Sequence, residues 1–402
     1  MLQNPKLTAI AIAIAASLCV PMAQAQNNVT IYGKLYPQLV HVDVSGATAA
    51  GVAVSRLSAT PAGGADYTNN SEDSPNSRLG FRGSEDLGGG LKAIFQLEMG
   101  FGVDTGTNTS ATALFSRDTW VGLQGGFGTV RLGSMDTVYK NLGDTLSFLG
   151  ISSGNFISTS NILSKPGIGA SSASSFHLRR PNSIIYESPE YGGFQFLFDY
   201  SLGEIANDFS RGSVISTGVK YEAGPIYAAI AYERHNDLFG GSRNVPSALR
   251  NDTNPLANSR DSALRGTVQY KFGKETRAEI NIAQLKYEET GGGIGKFDSY
   301  DHMAWSVAVE HKITPAVTLV GSYGYGNAGS CSLVGAACST NGLEGKMFNL
   351  GAGYYLSKRT MLYAIASYMG NGISATYNNL NDGRPLPGQD IKSVALGLSH
   401  SF

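Results

Sequence analysis

Apolar and polar residues alternate along most of this chain with a period of two. Leu264, Gly266, Val268, Tyr270 and Phe272 occupy one phase, and Arg265, Thr267, Gln269 and Lys271 the other. Leu79 and Phe81 stand against Arg78, Gly80 and Arg82. Successive side chains of a strand point to opposite faces, so these runs predict strands with one apolar face and one small or polar face. The final run behaves alike. Val394, Leu396, Leu398, His400 and Phe402 share a face against Ser393, Ala395, Gly397, Ser399 and Ser401, and the strand stops on its terminal aromatic. In Arg277 to Glu288 the apolar set changes phase near Ala283, which reads as a bulge or a miscount of the alternation.

Turn punctuation divides the chain further. Tight turns are predicted at residues 85–90, 124–126, 189–193, 222–225, 272–274, 312–315 and 356–358, which makes seven. Longer segments rich in Gly, Ser, Asn and Asp fall near 44–73, 103–113, 134–178, 202–211, 237–259, 289–298, 327–342 and 371–389, which makes eight. Seven short and eight long connections join 16 strands with both termini on the short-turn side. An even number of strands, short turns at one end and long loops at the other define an all-β, antiparallel transmembrane β-barrel. Tyr186, Tyr191, Tyr200, Tyr221, Tyr227, Tyr363 and Tyr368 lie near strand ends, as interfacial aromatic girdles require. A soluble sandwich would bury a dry core, whereas here the small and charged face recurs through all strands and nothing is left over to fill one. In lipid an open sheet edge leaves backbone groups unpaired, so the first strand, Val29 to Val42, is expected to pair with the last. Sixteen strands enclose a lumen too wide for side chains to fill and leave an aqueous channel.

Composition narrows the function classes. Residues 1–25 read as an export signal: Lys6, a mostly apolar stretch from Leu7 to Val20, then Ala23-Gln24-Ala25 at the cleavage positions. The mature chain, 26–402, is then 377 residues long (402 less 25). It loses one of 30 basic residues and none of 31 acidic ones, for a net charge of about −2. That excludes a strongly basic nucleic-acid binder. Two cysteines survive processing, Cys331 and Cys338, and in an exported protein their spacing reads as a local disulfide. Gly150-Ile-Ser-Ser-Gly154 matches G-x-S-x-G and Gly324-Tyr-Gly-Asn-Ala-Gly329 matches G-x-G-x-x-G. Neither has the strand–turn–helix context that gives those motifs their chemistry, and 51 glycines make chance matches expected. The six histidines show no ligand spacing. No enzyme, metal site or cofactor is indicated.

Several motifs resemble general porins of β-proteobacteria. They are Asn28-Val-Thr-Ile-Tyr-Gly33, Asn76-Ser-Arg-Leu-Gly-Phe-Arg-Gly-Ser-Glu-Asp-Leu-Gly-Gly-Gly-Leu91, Phe127-Gly-Thr-Val-Arg-Leu-Gly133, Asn182-Ser-Ile-Ile-Tyr-Glu-Ser-Pro189 with Gly192-Gly-Phe194, Leu356-Ser-Lys-Arg-Thr360 and the terminal His-Ser-Phe. The resemblance spans the mature chain. It implies a homotrimer of 16-stranded barrels in the outer membrane that passes ions and small hydrophilic solutes, with the third loop folded into the lumen. It also implies outer-membrane lipid, lipopolysaccharide and the barrel assembly machinery as partners, with Phe402 as the C-terminal assembly signal. A channel of the same fold selective for particular organic anions stays open as the alternative.

Residues 134–178 form the longest gap between strands and carry the apolar set Leu142, Leu146, Phe148, Leu149, Ile151, Phe156, Ile157, Ile162 and Leu163, which could pack against a wall. The family pattern places arginines on the wall facing this loop. By motif match these are Arg78, Arg117 and Arg179, and Arg82 and Lys34 also read as lumenal. Phase agrees for Arg78 and Arg179; Arg180 is a nearby alternative. Arg117 is in phase with Thr119 and opposite to Trp120, yet Val121 and Leu123 share its parity. Asp144, together with Asp136, is expected to oppose the arginines from the loop. Cations outnumber acids, which predicts a mild anion preference.

Overall fold

The computed structural model describes residues 28–379 and 384–402. The expected export signal lies outside these residues. The first strand is made of β1 (Asn28–Leu35) and β2 (Gln38–Ser45), and the second of β3 (Tyr67–Asp73) and β4 (Arg78–Gly88). Then follow β5 (Leu91–Gly100), β6 (Thr119–Gly125), β7 (Gly128–Asp136), β8 (Arg179–Glu187) and β9 (Phe194–Ser201). β10 (Val214–Ala223), β11 (Ile226–Asn236), β12 (Asn258–Phe272), β13 (Thr276–Thr290) and β14 (Phe297–Lys312) continue the wall. β15 (Val317–Gly326) and β16 (Ser330–Leu333) share one strand, and β17 (Gly345–Tyr355), β18 (Thr360–Asn371) and β19 (Asp390–Ser401) complete it. Nineteen segments thus form 16 antiparallel strands, because three strands are interrupted. The seven tight turns fall where the punctuation puts them; of the eight long connections, the one expected at 44–73 ends in β3 and the one expected at 327–342 contains β16.

Closure uses the two ends of the chain. β19 pairs with β2 through Gln38↔Gly397 to Ser45↔Asp390 and with β1 at Lys34↔Ser401. Pro37 cannot donate to the ladder and breaks the first strand. Its carbonyl still accepts from the Leu398 N–H at 3.0 Å, and the Tyr36 N–H donates to Ser77 Oγ at 2.9 Å. Gly33 and Phe402 exchange both backbone hydrogen bonds, at 3.2 and 3.1 Å. A Cβ on Gly33 would sit 2.4 Å from the Phe402 ring and 2.7 Å from the Arg78 carbonyl, so this register admits glycine alone.

The outer face carries the apolar phase. Val29, Ile31, Phe196, Ile230, Leu264, Val268, Ile280 and Leu396 are exposed on it, while Arg265, Thr267 and Gln269 are buried inward. Among the described residues no helix is long and apolar enough to cross a membrane. Two of the tyrosines assigned to the girdles point inward instead. Tyr227 donates to the Leu142 carbonyl at 2.7 Å, and Tyr363 stacks on Tyr36 with ring centroids 4.6 Å apart.

The phase change near Ala283 is neither a bulge nor a miscount. β13 pairs without register shift on both sides, and Glu279, Asn281, Ala283, Leu285 and Tyr287 all face inward. The apolar set switches because the surroundings do. Below Ala283 the lipid side is greasy. Above it Gln284, Lys286 and Glu288 project outward, while Leu285 and Tyr287 pack inside on Tyr139, Phe176 and Tyr300.

The lumen therefore holds a core, contrary to the expectation that nothing is left to form one. Two apolar clusters fill its sides, one around Leu142, Ile162, Phe176 and Leu285, the other around Leu146, Leu149, Ile151, Val320 and Ile365. The 137–178 segment packs into both against inward wall positions, and the first also takes Leu57, Val245, Leu343 and Ala375 from other long connections. Tyr139 N–H donates to Ser216 Oγ at 2.8 Å, and Arg265 Nη2 to the Gly143 carbonyl at 2.7 Å. On the other wall Asn155 Nδ2 donates to Gln38 Oε1 at 3.1 Å, and Asn379 Nδ2 to the Phe156 carbonyl at 3.3 Å. β10 and β12 lie about half the circumference from β2 and β18, so the segment crosses the channel. A Cβ on Gly143 would lie 2.0 Å from the Arg265 guanidinium, which is why this wall contact needs a residue without one.

Candidate functional site

Where the crossing segment meets the β1–β4–β8 wall, a polar cavity of about 800 Å³ remains open. Lys34, Arg78, Arg117 and Arg179 reach it from the barrel, Lys140 and Lys165 from the loop. Register explains the barrel set. Lys34 lies directly opposite Arg78 on neighbouring strands, so both share the inward face. Arg179 lies opposite Asp136 above a bulge that shifts β8 between Arg180 and Ser183, where Asn182 adopts φ 57°.

Arg117 arrives by a different route. In β6 it is Trp120 that faces the lumen, stacked under Arg131 at 5.1 Å, while Val121 and Leu123 are exposed outside. Strand alternation begins only at Thr119, so the phase of Thr119, Val121 and Leu123 says nothing about Arg117. The Arg117 N–H bonds the Glu98 carbonyl at 3.1 Å, and its Nε pairs with the Glu98 carboxylate. Arg82 is on the same face as Arg78 but lies over the Tyr32 ring at 4.9 Å. Four residues along the strand put it about 13 Å towards the short-turn end, away from the cavity.

Among the described residues three acids hold four of these cations. Glu98 takes Arg117, Arg78 at 3.6 Å and the Tyr32 hydroxyl at 2.9 Å. Asp118 accepts from Arg179 Nε at 2.7 Å, and Asp136 from Arg179 Nη2 at 2.8 Å and Lys140 at 2.9 Å. With six cations against three acids among the described residues, the cluster carries a net charge of about +3. Glu98 and Asp118 were not singled out in the sequence. Glu98 was findable, because it is in phase with Gln96 and out of phase with Leu97 and Met99.

The expected opposition of loop acids to wall arginines is not what the fold builds. Asp136 stands beside Arg179 rather than across from it. Asp144 caps the short helix Val138–Gly143 and is bound by His177 Nε2 at 2.7 Å, with Arg265 Nη1 at 3.7 Å. It faces the β12 wall and lines a separate cavity with Thr145, Gln269 and Lys271. Burial would raise the Asp144 carboxyl, but His177, Arg265 and Lys140 hold it below its ordinary range. Burial lowers the His177 imidazole in spite of Asp144.

Of the loop lysines, Lys140 joins Arg179 on Asp136, while Lys165 enters the cavity apart from them. Lys165 donates to Asn161 Oδ1 at 2.6 Å and among the described residues has no carboxylate partner. Burial without an acid lowers its ammonium to about 8. It is charged below that pH and neutral above it, so its pull on anions is present at pH 6 and lost by pH 9. Anion preference is expected to fall over that interval in the wild type and to fall less steeply in Lys165→Gln, read as zero-current potential against pH.

Cys331 and Cys338 are bonded, with Cα atoms 5.8 Å apart, and pack against the first of the two apolar clusters. The bridge spans β16 and the segment after it, and a seven-residue separation contributes about 2–3 kcal/mol on the loop-entropy account. Among the described residues no group of His, Cys, Asp and Glu has the arrangement of a metal site.

The model of the Gram-negative porin family matches residues 8–374. The chain belongs to that family. Outer membrane porin protein 32 of Delftia acidovorans is 29% identical over 403 residues, covering 97% of this chain and 99% of the relative. An outer membrane porin protein of Bordetella pertussis is 26% identical over 434 residues, covering 99% and 100%. Among solved structures, an anion-selective porin from Comamonas acidovorans aligns with a TM-score of 0.68 at 22% identity, covering 94% of this chain and all of the other. This porin is thus a multi-pass barrel of the outer membrane, and its work is passive diffusion of solutes rather than catalysis. Its wet lumen, apolar exterior and sealed hydrogen-bond ladder are what that task requires.

Proposed function

We propose that the six-cation cavity is the pore constriction and that it gives the channel a mild preference for anions among small hydrophilic solutes. The observation that carries this reading is the surplus itself: Lys34, Arg78, Arg117, Lys140, Lys165 and Arg179 against Glu98, Asp118 and Asp136, at the narrowing made by a loop that crosses the lumen. Two unit charges 4 Å apart in water interact by about 1 kcal/mol, which corresponds to about fivefold in concentration. Salt screens charges beyond about 8 Å, so a wet eyelet keeps its preference modest. The Comamonas relative described as anion-selective fits this reading.

The functional unit is a homotrimer, seated in outer-membrane lipid and lipopolysaccharide and delivered by the barrel assembly machinery, with Phe402 as its C-terminal signal. Residues 1–25 are the export signal. Liposome swelling with uncharged sugars of graded size tests the diffusion channel. Uptake should fall smoothly with size. Saturation by one solute would favour a selective channel instead.

A further inference from the structure

Cys331 and Cys338 lie on the long-loop side of the barrel, in the connection between β15 and β17. Short turns of such barrels face the periplasm, and long loops face the exterior. In the inserted barrel the pair therefore stands beyond the outer membrane, out of reach of periplasmic proteins. Two thiols lose two electrons and two protons when they join, so an acceptor disulfide must be reduced in exchange. In the bacterial periplasm a dithiol protein drives that exchange, rather than a thiol buffer.

The folded loop also shields the sulfurs. Cys331 sits in β16, whose ladder sets it opposite Tyr300 of β14. The rest of the segment is tied down around it. The Val334 N–H donates to the Lys296 carbonyl at 2.9 Å, Arg56 Nη1 to the Ala337 carbonyl at 3.1 Å, and Thr340 Oγ1 to the Gly329 carbonyl at 2.8 Å. Both cysteines are half-buried, with the first apolar cluster against them. A protein oxidant works through a mixed disulfide, so it needs access to the attacking sulfur and room beside it.

The unfolded chain imposes no such obstacle. Gly335, Ala336 and Ala337 between the two cysteines are small, and chain ends seven residues apart meet readily. On the loop-entropy account a cross-link acts by restricting the unfolded chain. A bridge closed early therefore reduces the entropy lost when β16 settles on β14.

We propose that this chain is a substrate of a periplasmic dithiol oxidant, and that the Cys331–Cys338 bridge closes before the barrel does. One cysteine thiolate attacks the oxidant's disulfide, and one oxidant sulfur leaves. The second cysteine thiolate then attacks the mixed disulfide at its partner's sulfur and releases the oxidant. The oxidant departs as a dithiol with the two electrons, and its two sulfurs take up the two protons. The order of events rests on the outer-membrane placement and not on the ion preference proposed above.

The test is pulse-labelling of the full-length porin in Gram-negative cells, with an acid quench and a maleimide polymer that counts free thiols. Gel mobility without heating separates folded from unfolded porin, and size separates the processed chain from its precursor. Cys331→Ser/Cys338→Ser sets the labelling blank. At the earliest times the processed, still unfolded chain should be bridged about tenfold more often than reduced. A processed, unfolded pool that is mainly reduced overturns the proposal. So does a reduced, folded barrel that becomes bridged during the chase. In cells lacking periplasmic dithiol oxidants, processed chains should keep both thiols for at least ten times longer. Bridging at the wild-type rate in those cells overturns the assignment of the oxidant. Ion preference enters none of these readouts, so failure of the constriction reading leaves them unchanged.

Discussion

Replacing Arg78, Arg117 and Arg179 together with alanine should abolish the anion preference. The triple substitution removes three of the six cations and leaves Glu98, Asp118 and Asp136 in place, so the local charge falls from about +3 to about zero. It also strips Glu98 and Asp118 of every basic partner, leaving carboxylates free to attract cations. In a salt gradient the zero-current potential should move to near zero. The single variants should move it less, Arg179→Ala most among them, because Arg179 alone neutralises two acids. A triple variant that keeps the wild-type potential would remove this cluster from the permeation path.

Releasing the crossing loop should widen the channel without unfolding the barrel. Leu146 and Ile151 are fully buried between loop and wall. Truncating either costs about 2–5 kcal/mol, and placing a carboxylate there adds a buried, unpaired charge. Leu146→Asp with Ile151→Asp should therefore expel this part of the loop into the lumen or beyond it. The strand ladders do not depend on these contacts, so the barrel should keep its gel mobility without heating. Conductance should rise, larger sugars should enter liposomes, and the ion preference should drop as the lysines leave the wall. Unchanged conductance would mean that the loop does not set the narrowest section.

The barrel was legible because its constraint is local. Lipid demands an apolar phase on every strand, and Leu264, Val268 and Phe272 announce it residue by residue. Turn chemistry announces the connections in the same way. The interior was harder to read, because it answers to a neighbour far away in sequence. Leu285 and Tyr287 break the simple pattern since they meet Tyr139 and Phe176 of the loop, which no window along β13 reveals. Tyr227 and Tyr363 resemble girdle residues for the same reason.

The site divides along the same line. Lys34 and Arg78 follow from strand phase and are opposite one another. Arg117 lies before its strand begins, so alternation had no purchase on it and motif similarity placed it. Asp144 was assigned by sign and loop membership, but direction decides its role, and a one-turn helix aims it at His177 and Arg265. Lys165 carried no signal beyond being a lysine in a loop. Its importance comes from having no acid nearby among the described residues, which only the packed loop defines.

The central claim is a sealed, water-filled cylinder whose narrowest part is electropositive. Purified wild-type protein in a planar bilayer under a tenfold potassium chloride gradient tests it most directly. Discrete conductance steps are expected, with a zero-current potential of the sign that chloride sets, diminishing as pH passes 8. A silent bilayer, or a potential of the sign that potassium sets, would contradict it.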